Sequence, residues 1–149
     1  MTVDIKMLKA DDLDNFIKLV ELFTEVFETP DFVMPDRAHL QTTLTNKDFY
    51  AVVAMVNGSM AGGMSVYRLN QYYSTKPLAY IYDLAVLPVF QRKGIGKKLI
   101  EYLKTYCSEH GFAEIFVQAD RVDDYALDFY RSTGITAEED VLHYYYTLT

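Results

Sequence analysis

The stretch from Ala79 to Gly111 constrains the fold more than any other part of the chain. It holds an apolar run, AYIYDLAVLPVF, then Gln91-Arg92-Lys93-Gly94-Ile95-Gly96, then a long amphipathic segment. In that segment Ile95, Leu99, Ile100, Leu103, Tyr106 and Cys107 recur at helical spacing, Lys97, Lys98, Glu101, Lys104 and Ser108 lie opposite, and Gly111 stops the pattern. A buried strand that feeds a glycine-containing loop and a helix leaves backbone N–H groups facing outward at the helix start. The helix dipole makes that end favourable for an anion. The run EIFVQA, Glu114 to Ala119, completes a strand–helix–strand unit, which predicts a right-handed crossover between parallel neighbours.

The rest of the chain supplies elements to surround this unit. Val3, Ile5 and Met7 alternate with polar residues as a half-buried strand does. From Asp11 the spacing becomes helical, with Leu13, Phe16, Ile17, Val20, Phe23 and Phe27 in one stripe and Asp11 or Asp12 as N-cap. The two prolines between Glu28 and Pro35 break that helix, and Asp36 is placed to cap a second, short one through Leu40 to Leu44. The run FYAVVAMV, then Asn57-Gly58, then Met60 to Tyr67 reads as an antiparallel hairpin, with Gly62-Gly63 marking a bulge or a close backbone approach. Asp123-Asp124 caps a short helix carrying Ala126, Phe129 and Tyr130 that ends at Gly134, and VLHYYYTL reads as a closing strand. The expected order is β-α-α-β-β-β-α-β-α-β in a single mixed α/β (α+β) domain spanning 1–149, a central sheet flanked by helices.

Composition narrows the function. With 149 residues, 50% of them hydrophobic, the chain suits one ordinary globular domain. No apolar run is long enough to span a bilayer, and MTVDIKMLKADD has acids where a signal peptide would be apolar, so a cytoplasmic location without a membrane partner is expected. Cys107 is the sole cysteine, and His39, His110 and His143 lack ligand spacing, so no disulfide and no metal are expected. Cys107 lies in the apolar helix stripe and reads as core. A net charge of −7 opposes binding to nucleic acid and favours a cationic partner or substrate.

The glycine loop fails the commoner phosphate signatures. A dinucleotide fingerprint requires glycine where Leu99 stands, and a P-loop requires glycine at Gln91 and a hydroxyl residue at Lys98. The pattern Gln91-x-x-Gly94-x-Gly96 between a strand and a helix resembles instead the GNAT family of N-acetyltransferases, and the order of elements matches that fold over essentially the whole chain. Within it, Tyr80-Ile81-Tyr82-Asp83-Leu84-Ala85-Val86, Val117-Gln118-Ala119-Asp120, Asp123-Asp124 and Tyr130 look like the type I aminoglycoside 3-N-acetyltransferases, enzymes of antibiotic resistance.

The resemblance implies acetyl-coenzyme A (acetyl-CoA) as co-substrate. Its pyrophosphate would lie on the backbone of Gln91, Arg92, Lys93, Gly94, Ile95, Gly96 and Lys97, and its pantetheine arm along Leu84, Ala85 and Val86 as an added strand. A backbone N–H near Leu84 or Ala85 would stabilise the developing oxyanion. An attacking ammonium must first lose a proton. Asp83, which interrupts an apolar strand, is the leading base, with Asp120 the alternative, and a structural carboxylate is the plainer reading of Asp83. Tyr130 is implied as the acid for the departing thiolate, although a core aromatic would look the same. Asp83, Asp120, Asp123, Asp124 and the Glu138-Glu139-Asp140 turn are candidates to line a negative acceptor cleft, while Asp123 and Asp124 equally suit helix capping. A small cationic amine, with an aminoglycoside first among them, is the expected acceptor; polyamines, amino-sugars, protein N-termini and a non-catalytic acyl-CoA module are the alternatives. The last strand, HYYYTL, fits a homodimer interface as well as ordinary sheet packing.

Overall fold

The computed structural model describes residues 1–149. They fall into two compact units, Met1–Gln118 and Ala119–Thr149.

The first unit is a five-stranded mixed sheet with helices on both faces, in the order β1 (Val3–Met7), α1 (Leu13–Val26), α2 (Arg37–Thr45), β2 (Phe49–Val56), β3 (Ser59–Leu69), β4 (Leu78–Val86), α3 (Ile95–Glu109) and β5 (Glu114–Val117). The strands lie in sequence order across the sheet; β1 to β4 are antiparallel neighbours and β4 to β5 are parallel, as a crossover through α3 requires. Asn57 and Gly58 both have positive φ, 50° and 84°, the two-residue type I′ turn that matches strand twist. Asp36 caps α2 by accepting from the His39 N–H at 2.8 Å. Asp12 stands at the N-cap of α1, but its carboxylate accepts from the Lys9 N–H instead of a helix donor.

One sheet face carries Phe49, Ala51, Val53 and Ala85, covered by Phe16, Leu19, Leu22 and Phe23 of α1 and Leu40 and Leu44 of α2. The other presents Val52, Ala54, Met64, Val66 and Ile81, buried on the side where α3 sets Ile95, Leu99 and Leu103. The α1 stripe differs from the sequence reading: Leu19 and Leu22 are buried, whereas Phe27 lies beyond the helix end and is exposed. Leu19 takes the central place because Gly63 leaves room for it. A Cβ on Gly63 would lie 2.5 Å from Leu19 Cδ1 and 2.6 Å from the Val52 carbonyl. On Gly62 it would lie 2.5 Å from the Ala85 carbonyl, beside the bulge at Ala54/Met55, so both readings of the glycine pair hold.

The second unit contains α4 (Asp124–Arg131), capped by Asp123 Oδ1, which accepts from the Ala126 N–H at 3.0 Å. The closing strand expected over Val141 to Leu148 is a correction: residues 132–149 form no strand, and 134–149 are exposed. Strand geometry needs a neighbour to accept its ladder bonds, and no strand of this chain is in register with that segment.

Gly63→Ala is expected to cost about 1–3 kcal/mol through overpacking against Leu19 and β2. Gly58→Ala, with no atom within 4 Å, bears only the left-handed backbone strain of about 1 kcal/mol. Urea unfolding midpoints should therefore fall further for Gly63→Ala, at unchanged slope.

Candidate active site

Residues Asp83 to Val86 are paired on one edge only. The β4–β5 ladder ends at Ile81 opposite Val117, while β4 continues along β3 to Val86, where it meets Gly62. The two parallel strands part at that point, and Leu84, Ala85 and Val86 present an unpaired backbone edge on the β5 side. A single 3₁₀ turn, Pro88–Phe90, follows, and the Gln91 side-chain amide donates to the Val86 carbonyl at 2.9 Å, tying the loop to the strand end.

The loop enters α3 through Arg92 at φ 61° and Gly94 at φ 80°, and the first helical bond runs from the Lys98 N–H to the Gly94 carbonyl at 3.1 Å. In α2 and α4 a carboxylate at the N-cap takes up an N–H of the first turn. At α3 the cap is glycine and supplies no such acceptor, which leaves the amides of Ile95, Gly96 and Lys97 without an intrahelical partner. Ile95 and Leu99 are buried and fix the helix start to the sheet; Arg92, Lys93 and Lys97 are exposed. Open donors at a positive helix end, in a loop with no Cβ at Gly94 and flanked by cations, fit a pyrophosphate.

Asp83 reaches its position through a bulge. In plain alternation Asp83 would share the face of Ile81, against α3. The register shifts between Ser65 and Val66, however, so that Asp83 pairs with Ser65 and Ile81 with Val66, with Tyr82 as the extra residue. Asp83 is thereby turned onto the face of Ser65 and Tyr67. Ser65 Oγ donates to Asp83 Oδ2 at 3.2 Å and accepts from the Asp83 N–H at 3.1 Å. Partial burial pushes the Asp83 carboxyl above its ordinary value, and the Ser65 hydroxyl offsets part of that rise.

Around Asp83 lies an aromatic floor that the sequence did not single out. Phe49, Tyr67, Tyr80 and Phe116 form a register row across β2 to β5. Ring centroids are 5.2 Å apart for Phe49–Tyr67 and 4.6 Å, nearly parallel, for Tyr80–Phe116. Tyr82 joins the row at 5.7 Å from Tyr67 and 5.8 Å from Tyr80, and Tyr80 donates its hydroxyl to Gln118 Oε1 at 2.9 Å. Tyr67 and Tyr82 are 39% and 62% exposed, so part of this floor faces solvent. Burial, then the Tyr82 and Asp83 charges, raise the Tyr67 and Tyr80 hydroxyl pKa values, which keeps both rings neutral beside the carboxylate. The available signal was the i, i+2 pair of tyrosines inside an apolar strand; Ser65 gave none.

The remaining candidates sit in the second unit. Asp120, Asp123 and Asp124 are exposed, Asp123 is occupied as the α4 cap, and Tyr130 is half-buried on α4 with its ring 5.0 Å from Phe129. The acidic turn is not a free negative surface, contrary to the sequence reading: Glu138 takes a bidentate contact from Arg131 at 2.8 and 3.1 Å, and Asp140 is paired with Arg121. Cys107 is buried and its thiol is pushed up to about 11, which suits core packing and not a nucleophile. No group of three or more His, Cys, Asp or Glu side chains has the geometry of a metal site, and no helix is long and apolar enough to cross a membrane.

Comparison with known proteins agrees with this geometry. Residues 16–135 match the model of the Acetyltransferase (GNAT) family. A solved aminoglycoside acetyltransferase from an uncultured soil metagenomic sample, in complex with sisomicin, is 55% identical, with 99% of this chain and 97% of that one covered and a TM-score of 0.97. A second soil metagenomic aminoglycoside acetyltransferase is 30% identical over the full length of both chains, with a TM-score of 0.93. The uncharacterized N-acetyltransferase YhfO of Bacillus subtilis is 23% identical over 95% of each chain. The chain belongs to the GNAT family and is an N-acetyltransferase.

Proposed function

We propose that this acetyltransferase moves the acetyl group of acetyl-CoA to the 3-amino group of an aminoglycoside. The observation that carries the reading is Asp83: a carboxyl turned by a bulge out of the core and onto an exposed tyrosine floor, directly before the unpaired edge of Leu84, Ala85 and Val86. The donor's pyrophosphate is assigned to the amides and cations of Gln91 to Lys97, and its pantetheine arm to the unpaired edge of β4. The family's use of acetyl-CoA and the sisomicin complex of the 55%-identical relative support the two substrate classes.

In the proposed reaction both substrates are bound together and no covalent enzyme intermediate forms. Asp83 takes a proton from the acceptor ammonium. The freed amine attacks the thioester carbonyl, the N–C bond forms as the C–S bond breaks, and a backbone N–H near Leu84 or Ala85 steadies the oxyanion. Tyr130 is assigned the proton that the departing thiolate takes up. Tyr67, Tyr80 and Tyr82 offer neutral π faces to sugar rings and ammonium groups, and Asp120, Asp123 and Asp124 contribute negative charge toward a polycation. The amide product carries one positive charge fewer, a change that weakens any target that recognises the antibiotic as a polycation.

Coenzyme A release with a panel of aminoglycosides, polyamines and amino-sugars, followed by NMR of the product, tests acceptor and position together. Acetylation at any amine other than the 3-amino group, or turnover of polyamines alone, overturns the assignment. Asp83→Asn is expected to lower kcat by about 10²- to 10⁴-fold while acetyl-CoA binding is retained. It should also remove the acid limb of the rate profile, which in the wild type is moved upward from the ordinary aspartate value because burial raises the Asp83 pKa.

The same shift has a sign for stability. Folding binds the Asp83 proton more tightly than the unfolded chain does, so stability is greatest below the unfolded value and falls as pH rises through the folded one. Asp83→Asn should therefore melt higher than wild type at neutral pH, with the gap closing as pH falls toward 4. Tyr82→Ala should raise the acceptor KM with little change in kcat or in the acetyl-CoA KM, since its ring lies on the solvent-facing floor.

A further inference from the structure

The sheet face that carries the tyrosine floor also buries one hydroxyl. Ser65 is 6% exposed and is the one buried polar side chain of the first unit. On β2 its register partner is Ala51, a methyl group with nothing to bond, and along β3 its neighbours on the same face are Gly63 and Tyr67. A hydroxyl in such a place is costly unless it finds a partner. Both of its bonds go to one residue: Ser65 Oγ accepts from the Asp83 N–H at 3.1 Å and donates to Asp83 Oδ2 at 3.2 Å.

The two bonds fix each other's sense. The amide can only donate, so it takes a lone pair of Oγ, and the hydroxyl hydrogen is left for the carboxylate, which when ionised can only accept. Oδ2 is thereby held to β3, and that bond opposes any rotation that would carry the carboxylate away. Oδ1 is placed differently. It takes no hydrogen bond within the chain, and it is not shut in, because no buried side-chain oxygen of this structure lacks a partner. The titratable groups around the carboxyl are Tyr67 on β3 and Tyr80 and Tyr82 on β4, and α1 brings only apolar side chains, Phe16, Leu19, Leu22 and Phe23, to this face. No lysine, arginine or histidine is paired with Asp83.

We propose that Ser65 is a positioning residue of the transfer: its hydroxyl pins Asp83 Oδ2 to β3, so that Oδ1 is the one oxygen offered to the acceptor's ammonium. The proposal rests on the reading of Asp83 as the base. In the step concerned an N–H bond of the ammonium breaks, an O–H bond forms at Oδ1, and the electron pair stays on nitrogen for its attack on the thioester. Ser65 keeps its bond to Oδ2 throughout. A carboxylate free to turn would offer either oxygen in several directions, and such loss of orientation lowers the rate. The same hydroxyl favours the ionised form and so opposes the rise that burial imposes on this carboxyl.

Titration of Asp83 by NMR of its carboxyl carbon, assigned by the loss of that resonance in Asp83→Asn, reads the pairing without turnover. In Ser65→Ala the titration should move to higher pH, because the bond that favours the ionised form is gone. The acid limb of kcat should move with it. On the plateau kcat should fall about 10-fold, the worth of one hydrogen bond to a charged group, at an unchanged acetyl-CoA KM. Ser65→Thr keeps the hydroxyl and should return the titration and most of the rate. If Ser65→Ala folds poorly, Ser65→Cys keeps the volume with a weaker donor and should show the same upward movement. Added to Asp83→Asn, Ser65→Ala should cost no further rate. A titration or acid limb that stays in place overturns the proposal, as does a Ser65→Thr variant that behaves like Ser65→Ala, or a loss that adds to that of Asp83→Asn. The two readings fail separately: full rate in Asp83→Asn removes the base itself, whereas an inactive Asp83→Asn beside a Ser65→Ala with the wild-type limb and plateau removes only the role of Ser65.

Discussion

Backbone hydrogen bonding along β4 is shared unequally between its two edges, and the rest of the site depends on that inequality. Toward β3 the ladder runs the whole strand, from Leu78 to Val86. Toward β5 it stops at Ile81. A main-chain donor or acceptor left without a partner in an apolar setting is costly, so the segment from Tyr82 to Val86 is suited to receive an extended ligand with its own amides. Gln91 bonds the Val86 carbonyl and so fixes where this open edge ends and the glycine loop begins. The strand edge and the helix N-terminus are therefore one continuous surface of main-chain groups, and the side chains there serve mainly to keep it in shape.

The β4 bulge turns one carboxylate out of the core. Without it, Asp83 would point with Ile81 toward α3, where an ionised carboxylate would be unpaired among Met64, Val66 and Leu99. With it, the same residue meets Ser65 and lies on the face of three tyrosines. Its pKa is raised by partial burial, and the Ser65 hydroxyl offsets part of that rise. A structural carboxylate would be expected to gain a cation; Asp83 has a hydroxyl instead. That difference is what favours a functional role, and it follows from one register shift.

Much of this was legible in the residues. Asn57-Gly58, Asp36, Asp123 and Gly111 act locally, through turn and cap geometry that depends on few neighbours, and each sits where its residue type requires. The Gly62-Gly63 pair announced a close approach, though not that Leu19 would fill it and turn α1 so that Phe27 is left outside. The bulge was illegible because it arises from pairing between strands, not from any residue within one. The tyrosine floor is hidden for the same reason: Tyr67, Tyr80 and Phe116 are far apart in the chain and become a row only in register. The acidic turn was misread because charge counts ignore partners, and Arg121 and Arg131 had already claimed Asp140 and Glu138.

The closing strand failed as a local expectation in a way that is itself informative. VLHYYYTL has the period and residue types of a strand, and those signals describe what the segment does when an edge is offered, not whether its own chain offers one. A sequence pattern selected for a two-sided apolar strand, left fully exposed, conflicts with the consistency seen everywhere else in this chain, where caps, turns and core stripes agree with the fold.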